Sequence, residues 1–145
     1  MKKLFFNAFF AVLLTFLAFA LSSCGNKKES ADEGGLWENA IYLSDTELGS
    51  GINTCIVEVT AGDRTVTFTI HTDKTIVGEA LMDNSLIDGE AGAYGLYVKA
   101  VNGITADYDV DQSYWSFYID GEYAMTGVDT TEIKADAVYK LEYTK

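Results

Sequence analysis

Alternating apolar and polar side chains predict a pair of strands near the middle of the chain. Apolar residues occupy every second position over residues 55–59 and again over residues 66–70, where threonines fill the positions between them. The run Ala-Gly-Asp-Arg that separates the two stretches has turn character. Period-two patterning on both sides of a glycine turn predicts a β-hairpin with one buried face.

A change of period after the hairpin predicts one short helix. Ile76, Val77, Ala80 and Leu81 recur at helical spacing through residue 84, and Thr75 is a suitable N-cap. The glycine-containing residues 85–95 that follow are expected to form a loop.

Strand patterns return in the second half of the chain. Residues 96–101 are followed by Asn102-Gly103, a strong hairpin signal, and residues 104–107 are expected to form the returning strand. Further strands are expected at residues 114–119, 122–125 and 137–144. The order of elements lacks βαβ alternation, which favours an α+β fold: a β-grasp-like mixed sheet of about five to seven strands with one short helix.

The sequence leaves the structure of one segment undecided and predicts one uncovered sheet face. Residues 36–52 fit either a cover over a sheet edge or an irregular arm with a short strand. A single helix cannot cover both faces of a mixed sheet. One face is therefore expected to remain available to water or to a partner.

The N-terminus has the anatomy of an export signal. Lys2 and Lys3 precede eighteen mostly apolar residues, 4–21, and the sequence Leu-Ser-Ser-Cys then ends at Cys24. This segment resembles the bacterial lipobox, although an ordinary signal peptide or a membrane-spanning anchor are alternatives. The resemblance implies that Cys24 carries a diacylglycerol thioether, with palmitate as an acyl group, and becomes the N-terminus after cleavage.

These features predict the organisation of the whole chain. Residues 1–23 are expected to be a lipoprotein signal peptide, and the polar residues 24–35 a flexible tether. Residues 36–145 are expected to form a single domain. The predicted location is the extracytoplasmic face of the bacterial cell membrane, with the membrane contacted through the lipid on Cys24.

Composition excludes several classes of function. The formal net charge is −12 and the pI about 4.2, so the chain repels nucleic-acid backbones and is not expected to bind nucleic acid. Two cysteines and one histidine cannot build a Cys/His zinc site. With Cys24 lipidated, Cys55 is the only remaining thiol, and its apolar surroundings predict burial.

No sequence pattern indicates catalysis. His71 is the only histidine, and its place in a strand suggests a solvated polar position rather than a general base. No glycine-rich loop leads into a helix to hold a phosphate. We therefore expect the protein not to be an enzyme.

Three aspartates form a candidate calcium site. Asp107, Asp109 and Asp111 lie at every second position, so in an extended segment their carboxylates would share one side. An EF-hand loop is excluded, because its sixth and twelfth positions would be Gln112 and Tyr118. The alternative is a charged loop or an edge strand that resists sheet-to-sheet pairing.

Aromatic residues form the main candidate for a binding surface. Trp115 alternates with Phe117 and is expected to face the core, so that Tyr114 and Tyr118 project from the opposite face. Tyr97 and Tyr123 could lie near them if the neighbouring strands pair. The candidate ligand-binding residues are Tyr114, Tyr118, Tyr97, Tyr123 and Trp115. The alternative is a half-exposed tyrosine face that stiffens the sheet through cross-strand pairs.

One segment also resembles a known family. The Asn-Gly turn at 102–103, the strand Tyr-Trp-Ser-Phe-Tyr-Ile-Asp-Gly over 114–121, Gly127 and the final strand resemble the transcobalamin-like C-terminal domain, over about residues 54–144. The resemblance implies a β-rich domain that closes over a corrinoid from one side, beside a helical domain. Two functions remain open: binding of a cobalamin-type small molecule, or interaction with a surface protein or glycan.

Overall fold

A six-stranded mixed sheet and a three-stranded antiparallel sheet form the framework of the fold. A computed structural model describes residues 35–145. The strands are β1 (Thr46–Gly49), β2 (Asn53–Ala61), β3 (Arg64–Thr72), β4 (Ile87–Gly92), β5 (Gly95–Val101), β6 (Ile104–Thr105), β7 (Tyr114–Ile119), β8 (Glu122–Tyr123) and β9 (Val138–Thr144). The helices are α1 (Val77–Asp83), α2 (Tyr108–Asp111) and a 3-10 helix at Val128–Thr130.

The predicted α+β class and mixed sheet are confirmed. The larger sheet has the order β1-β3-β2-β9-β7-β8, and the smaller has the order β4-β5-β6. Strand β2 pairs antiparallel with β3 and parallel with β9, which makes the larger sheet mixed. The last strand of the chain, β9, thus lies inside the larger sheet, between β2 and β7.

The alternation read from the sequence sets which side of the larger sheet is buried. In β2 and β3 every second side chain is fully buried, and Val57 lies opposite Phe68 in the ladder. Strand β9 continues this face with Tyr139 and Leu141. Helix α1 joins the same core through its apolar side, as does the smaller sheet through Val98 and Val101.

The other face of the larger sheet is partly exposed, as predicted. Its side chains include Glu58, Lys140 and Tyr118, which occupy neighbouring positions on three adjacent strands. The Lys140 ammonium lies 4.5 Å from the centre of the Tyr118 ring and 2.7 Å from a carboxylate oxygen of Glu142. This face therefore carries charged side chains of both signs beside a partly exposed aromatic ring.

The N-terminal arm is irregular up to β1, which matches the second of the two alternatives left open by the sequence. Trp37 is buried, and its indole Nε1 donates to the carbonyl of Ala61 at 2.8 Å. Further along, the backbone N–H of Tyr42 donates to Asn102 Oδ1 at 2.9 Å, and Asn102 Nδ2 donates to the Tyr42 carbonyl at 2.8 Å. These hydrogen bonds fasten the arm to the end of β2 and to the turn after β5.

Two local predictions were wrong. Helix α1 begins after Ile76 rather than Thr75, and no side chain caps it. Residues 85–95 were expected to be a loop, but they contain β4, which pairs with β5. The backbones approach so closely there that a Cβ on Gly89 would lie 2.2 Å from the carbonyl oxygen of Tyr97. The glycine that suggested a loop is what permits this pairing.

The predictions for the N-terminal segment lie outside the described residues. These are the signal peptide at 1–23, the lipidated Cys24 and most of the tether at 24–35. Within residues 35–145, no helix combines the length and the apolar character needed to cross a membrane.

Candidate functional site

A cleft of about 640 Å³ lies between the smaller sheet and the β7–β8 edge of the larger one. Residues from five elements or their connections line it. They are Tyr97 and Lys99 of β5, Ala106 and Asp107 after β6, Tyr108 and Asp109 of α2, Tyr114 of β7 and Tyr123 of β8. We refer to these eight residues as the tyrosine cleft.

The tyrosine cleft brings together much of the predicted site. Tyr97, Tyr114 and Tyr123 meet there with Asp107 and Asp109, although the sequence predicts the tyrosines and the aspartates as two separate sites. The tyrosine rings are accessible, since Tyr97 and Tyr123 are exposed and Tyr114 is half-buried. One cleft therefore combines aromatic surface with carboxylates.

Two predicted ligand contacts lie elsewhere. Trp115 is in the core rather than in the cleft, because it projects from the inner face of β7 and is only 8% exposed. It packs edge-on against Tyr143. Tyr118 does not line the cleft either, but its ring contacts that of Tyr123 edge-on, with 5.5 Å between ring centres. Tyr118 thus packs against Tyr123, a residue that does line the cleft.

Helix α2 is a short, internally braced turn that presents Tyr108 and Asp109 to the cleft. The Asp107 carboxylate accepts hydrogen bonds from the backbone N–H groups of Asp109 and Val110, at 3.0 and 3.3 Å, and so caps the turn. Gln112 ends the turn in a left-handed conformation, with φ of 64°. The backbone N–H of Asp107 donates to the buried Ser113 hydroxyl.

The proposed calcium geometry was wrong. Asp107, Asp109 and Asp111 lie in this helical turn rather than in an extended segment, so they do not share one side. Asp111 turns away to accept hydrogen bonds from Ser113 and Lys145, which lower the pKa of its carboxyl to about 2. Within residues 35–145, no three His, Cys, Asp or Glu side chains are arranged to hold a metal ion.

The tyrosine cleft carries unbalanced negative charge. Among the described residues that line it, Lys99 is the only basic one. Its ammonium is 3.0 Å from a carboxylate oxygen of Glu90, an interaction that raises the pKa of Lys99. Asp109 forms no ion pair within the described part of the chain. The cleft thus holds two aspartates and one lysine, and that lysine also pairs with Glu90.

Asp129 fixes the start of β5, the strand that contributes Tyr97. One of its carboxylate oxygens accepts from the backbone N–H of Leu96 at 3.1 Å. The carboxylate also lies against two glycines, since a Cβ on Gly95 or Gly127 would come within 2.7 or 2.5 Å of its oxygens. The 3-10 helix that carries Asp129 thereby holds this side of the cleft in place.

Two side chains considered for reactivity are not in the cleft. Cys55 is fully buried, as predicted, and burial raises the pKa of its thiol to about 12. His71 lies on the partly exposed face of β3, opposite Thr54.

Sequence reasoning did not select Tyr108, Lys99 or Ala106. Tyr108 lies between the first two aspartates of the Asp-x-Asp-x-Asp run, where the spacing of the acidic residues is the dominant pattern. The N-cap geometry of Asp107 is the signal that could have placed Tyr108, because an aspartate before a short polar turn often begins a helix.

Comparison with known proteins places this chain among related sequences. The sequence profile described as "Domain of unknown function (DUF4430)" matches residues 73–145, which include every residue of the tyrosine cleft. A comparison with curated proteins gives no match.

Solved structures similar to this chain include two of different coverage. A "putative metal binding protein" from Ruminococcus gnavus is 33% identical, with a TM-score of 0.61, over 65% of this chain and 98% of the other. Haptocorrin in complex with Cbi is 17% identical, with a TM-score of 0.49, over 64% of this chain and 25% of the other.

Proposed function

This chain belongs to the DUF4430 family, and from that premise and the geometry of the site we propose that it is a non-catalytic binding domain whose ligand occupies the tyrosine cleft. One observation carries the proposal: four tyrosines, one each from β5, α2, β7 and β8, converge with two aspartates on one cleft of about 640 Å³. Small-molecule sites have volumes of about 300–1,000 Å³ and combine aromatic walls with a few polar groups.

The absence of catalysis is part of this proposal. The Cys55 thiol is buried with a raised pKa, so it cannot supply a thiolate near neutral pH. His71 lies outside the cleft. Ligand binding requires neither residue.

The ligand we propose first is a corrinoid of the cobalamin type. Support comes from the resemblance of about residues 54–144 to the transcobalamin-like C-terminal domain and from an open aromatic cleft suited to contact one side of a large ring. The related protein from Ruminococcus gnavus is described as metal binding. A bare metal ion does not fit the described residues of this chain, because Asp107 caps a helix and Asp111 pairs with Lys145.

A change at two cleft tyrosines tests the proposal. The full-length chain, in a polyoxyethylene detergent, is screened by thermal shift against cobalamin, calcium chloride and soluble glycans. For a probe that binds, the Tyr114→Ser/Tyr123→Ser double variant should lose about tenfold or more in affinity, because aromatic anchors carry most interface energy. Its free energy of unfolding should stay within about 1–2 kcal/mol of the wild type, as is usual for accessible sites.

Tyr94 provides the matched control. It is a fully exposed tyrosine at the tip of the β4–β5 hairpin and does not line the cleft. Tyr94→Ser should bind the probe like the wild type. If the double variant folds and binds as tightly as Tyr94→Ser, the cleft is not the binding site.

A second candidate function is interaction with a surface protein or a glycan. Large apolar side chains stand exposed outside the cleft, including Tyr94 at the β4–β5 tip, Val110 in α2 and Met125 after β8. Such side chains mark a recognition surface where they form one contiguous patch. A glycan response in the screen that requires Tyr94 as much as Tyr114 would favour this function over binding within the cleft.

We further propose that the domain is anchored by lipid at Cys24 on the extracytoplasmic face of the bacterial cell membrane. Support comes from the Leu-Ser-Ser-Cys sequence after the apolar segment. Cys24→Ala should abolish incorporation of a fatty-acid analogue, because the thioether sulfur is lost, and should leave an unprocessed precursor. Cys55→Ala, which changes the only other cysteine, should be labelled like the wild type. Equal labelling of Cys24→Ala and wild type would contradict the proposal.

A further inference from the structure

We propose that the tyrosine cleft binds an organic cation, specifically a quaternary or alkylated ammonium group held against its tyrosine rings. This inference rests on the proposed binding function of the same cleft, and it names a second class of ligand for that cleft beside the corrinoid. It draws on three features: the aromatic lining, the uncompensated carboxylate and the arrangement of the aspartates.

The aromatic lining supplies the attraction. Tyr97, Tyr108, Tyr114 and Tyr123 all line one cleft, and the face of a phenol ring is the negative end of its quadrupole. An ammonium group that carries methyl groups in place of N–H bonds is recognised through such faces, because it needs no hydrogen-bond acceptor. Four tyrosines from four elements offer a cation several rings in one open cleft rather than a single contact.

The domain already contains a cation packed against a tyrosine ring next to the cleft. The Lys140 ammonium lies 4.5 Å from the centre of the Tyr118 ring, and Tyr118 contacts Tyr123 edge-on. This contact occurs on the open face of the sheet, where water competes with the ring. Tyrosines at the β7–β8 edge are therefore accessible to an ammonium group in the folded domain.

Charge selects a cation over a neutral or anionic ligand. Asp109 lies in the cleft without an ion-pair partner among residues 35–145, and Lys99 is paired with Glu90. The whole chain has a formal charge of −12, which repels anions before they reach the site.

The arrangement of the aspartates argues for an organic cation rather than a metal ion. Calcium takes six to eight oxygen ligands in a close shell. Asp107 uses a carboxylate oxygen to cap α2, and Asp111 is held outside the cleft by Ser113 and Lys145. One carboxylate beside aromatic walls suits a large, weakly hydrated cation.

The test compares choline with 3,3-dimethylbutan-1-ol, a neutral molecule in which a carbon atom replaces the charged nitrogen. Both are titrated into the full-length chain in a polyoxyethylene detergent, and binding is followed by calorimetry and by ligand NMR. Choline should bind at least about tenfold more tightly than the neutral analogue, since only choline gains from the rings and from Asp109.

Variants locate the binding. Tyr123→Leu keeps apolar contact but removes the ring and should weaken choline binding by about fivefold to tenfold. Asp109→Asn should weaken it by about threefold or more and reduce its dependence on salt. Tyr94→Leu, outside the cleft, should leave affinity unchanged. Circular dichroism melts establish that each variant is folded. If Tyr123→Leu does not fold, Tyr108→Leu replaces it as the variant that removes a cleft ring.

Each contrary outcome has a distinct meaning. Equal binding of choline and its neutral analogue would overturn the cation inference. The cation inference would also be overturned if choline failed to bind while cobalamin or a glycan bound and required Tyr114 and Tyr123. The proposed binding function would stand in that case. If neither choline nor any screened probe binds in the cleft, both are overturned.

Discussion

Replacing Asn102 by alanine is expected to lower the free energy of unfolding by about 3–5 kcal/mol. Asn102 is fully buried, and its side-chain amide exchanges two hydrogen bonds with the backbone of Tyr42. Alanine would leave the N–H and carbonyl of Tyr42 without these partners, at the lower end of about 1–3 kcal/mol each because Tyr42 is only half-buried. It would also have to adopt the left-handed conformation of Asn102, with φ of 52°, which costs a side chain other than asparagine or glycine about 1–2 kcal/mol.

Asn102→Gly separates the two contributions. Glycine accepts the left-handed conformation but cannot bond to Tyr42, so this variant should be less destabilised than Asn102→Ala by about 1–2 kcal/mol. Urea denaturation followed by tryptophan fluorescence measures both. A loss below about 1 kcal/mol in Asn102→Ala would show that the N-terminal arm contributes little to the stability of the domain.

Replacing Trp115 by alanine is expected to cost about 3–5 kcal/mol, the usual range for removing a large aromatic side chain from a core. The Trp115 ring packs edge-on against Tyr143 on the buried face of the larger sheet. Its indole N–H finds no acceptor among residues 35–145, so the loss would come from packing rather than from a hydrogen bond.

Trp115→Phe tests that explanation. Phenylalanine removes part of the ring and the N–H but keeps most of the packing, so its cost should be about 1–2 kcal/mol. The measurement is a urea denaturation curve for each variant, beside an affinity for the probe found in the screen. A Trp115→Ala variant as stable as the wild type but unable to bind would make Trp115 a ligand contact instead.

The sequence by itself determined the elements that depend on local patterning. Period-two alternation placed the β2–β3 hairpin and its buried face, because neighbouring strand residues must point to opposite sides. The same rule placed Trp115 and Phe117 in the core and Tyr114 and Tyr118 on the other face, as the structure has them. Burial of Cys55 followed from its position in that pattern.

Part of the candidate site was also readable from the sequence, but not as one site. Tyr97, Tyr114, Tyr123, Asp107 and Asp109 were each selected for their chemistry. Their convergence depends on how the smaller sheet packs beside β7, which is a contact between segments distant in sequence. The periodicity within each segment does not show that the two segments lie side by side in the fold.

The tertiary structure alone decided the features that arise from long-range partners. Residues 87–92 become a strand because the backbone of β5 offers them hydrogen bonds, although their glycines and acids carry little strand preference. Asn102 reads locally as a hairpin turn, yet its buried amide also completes the hydrogen bonding of Tyr42, sixty residues away. Local pattern fixes which way a side chain points, whereas only the folded chain fixes what it meets there.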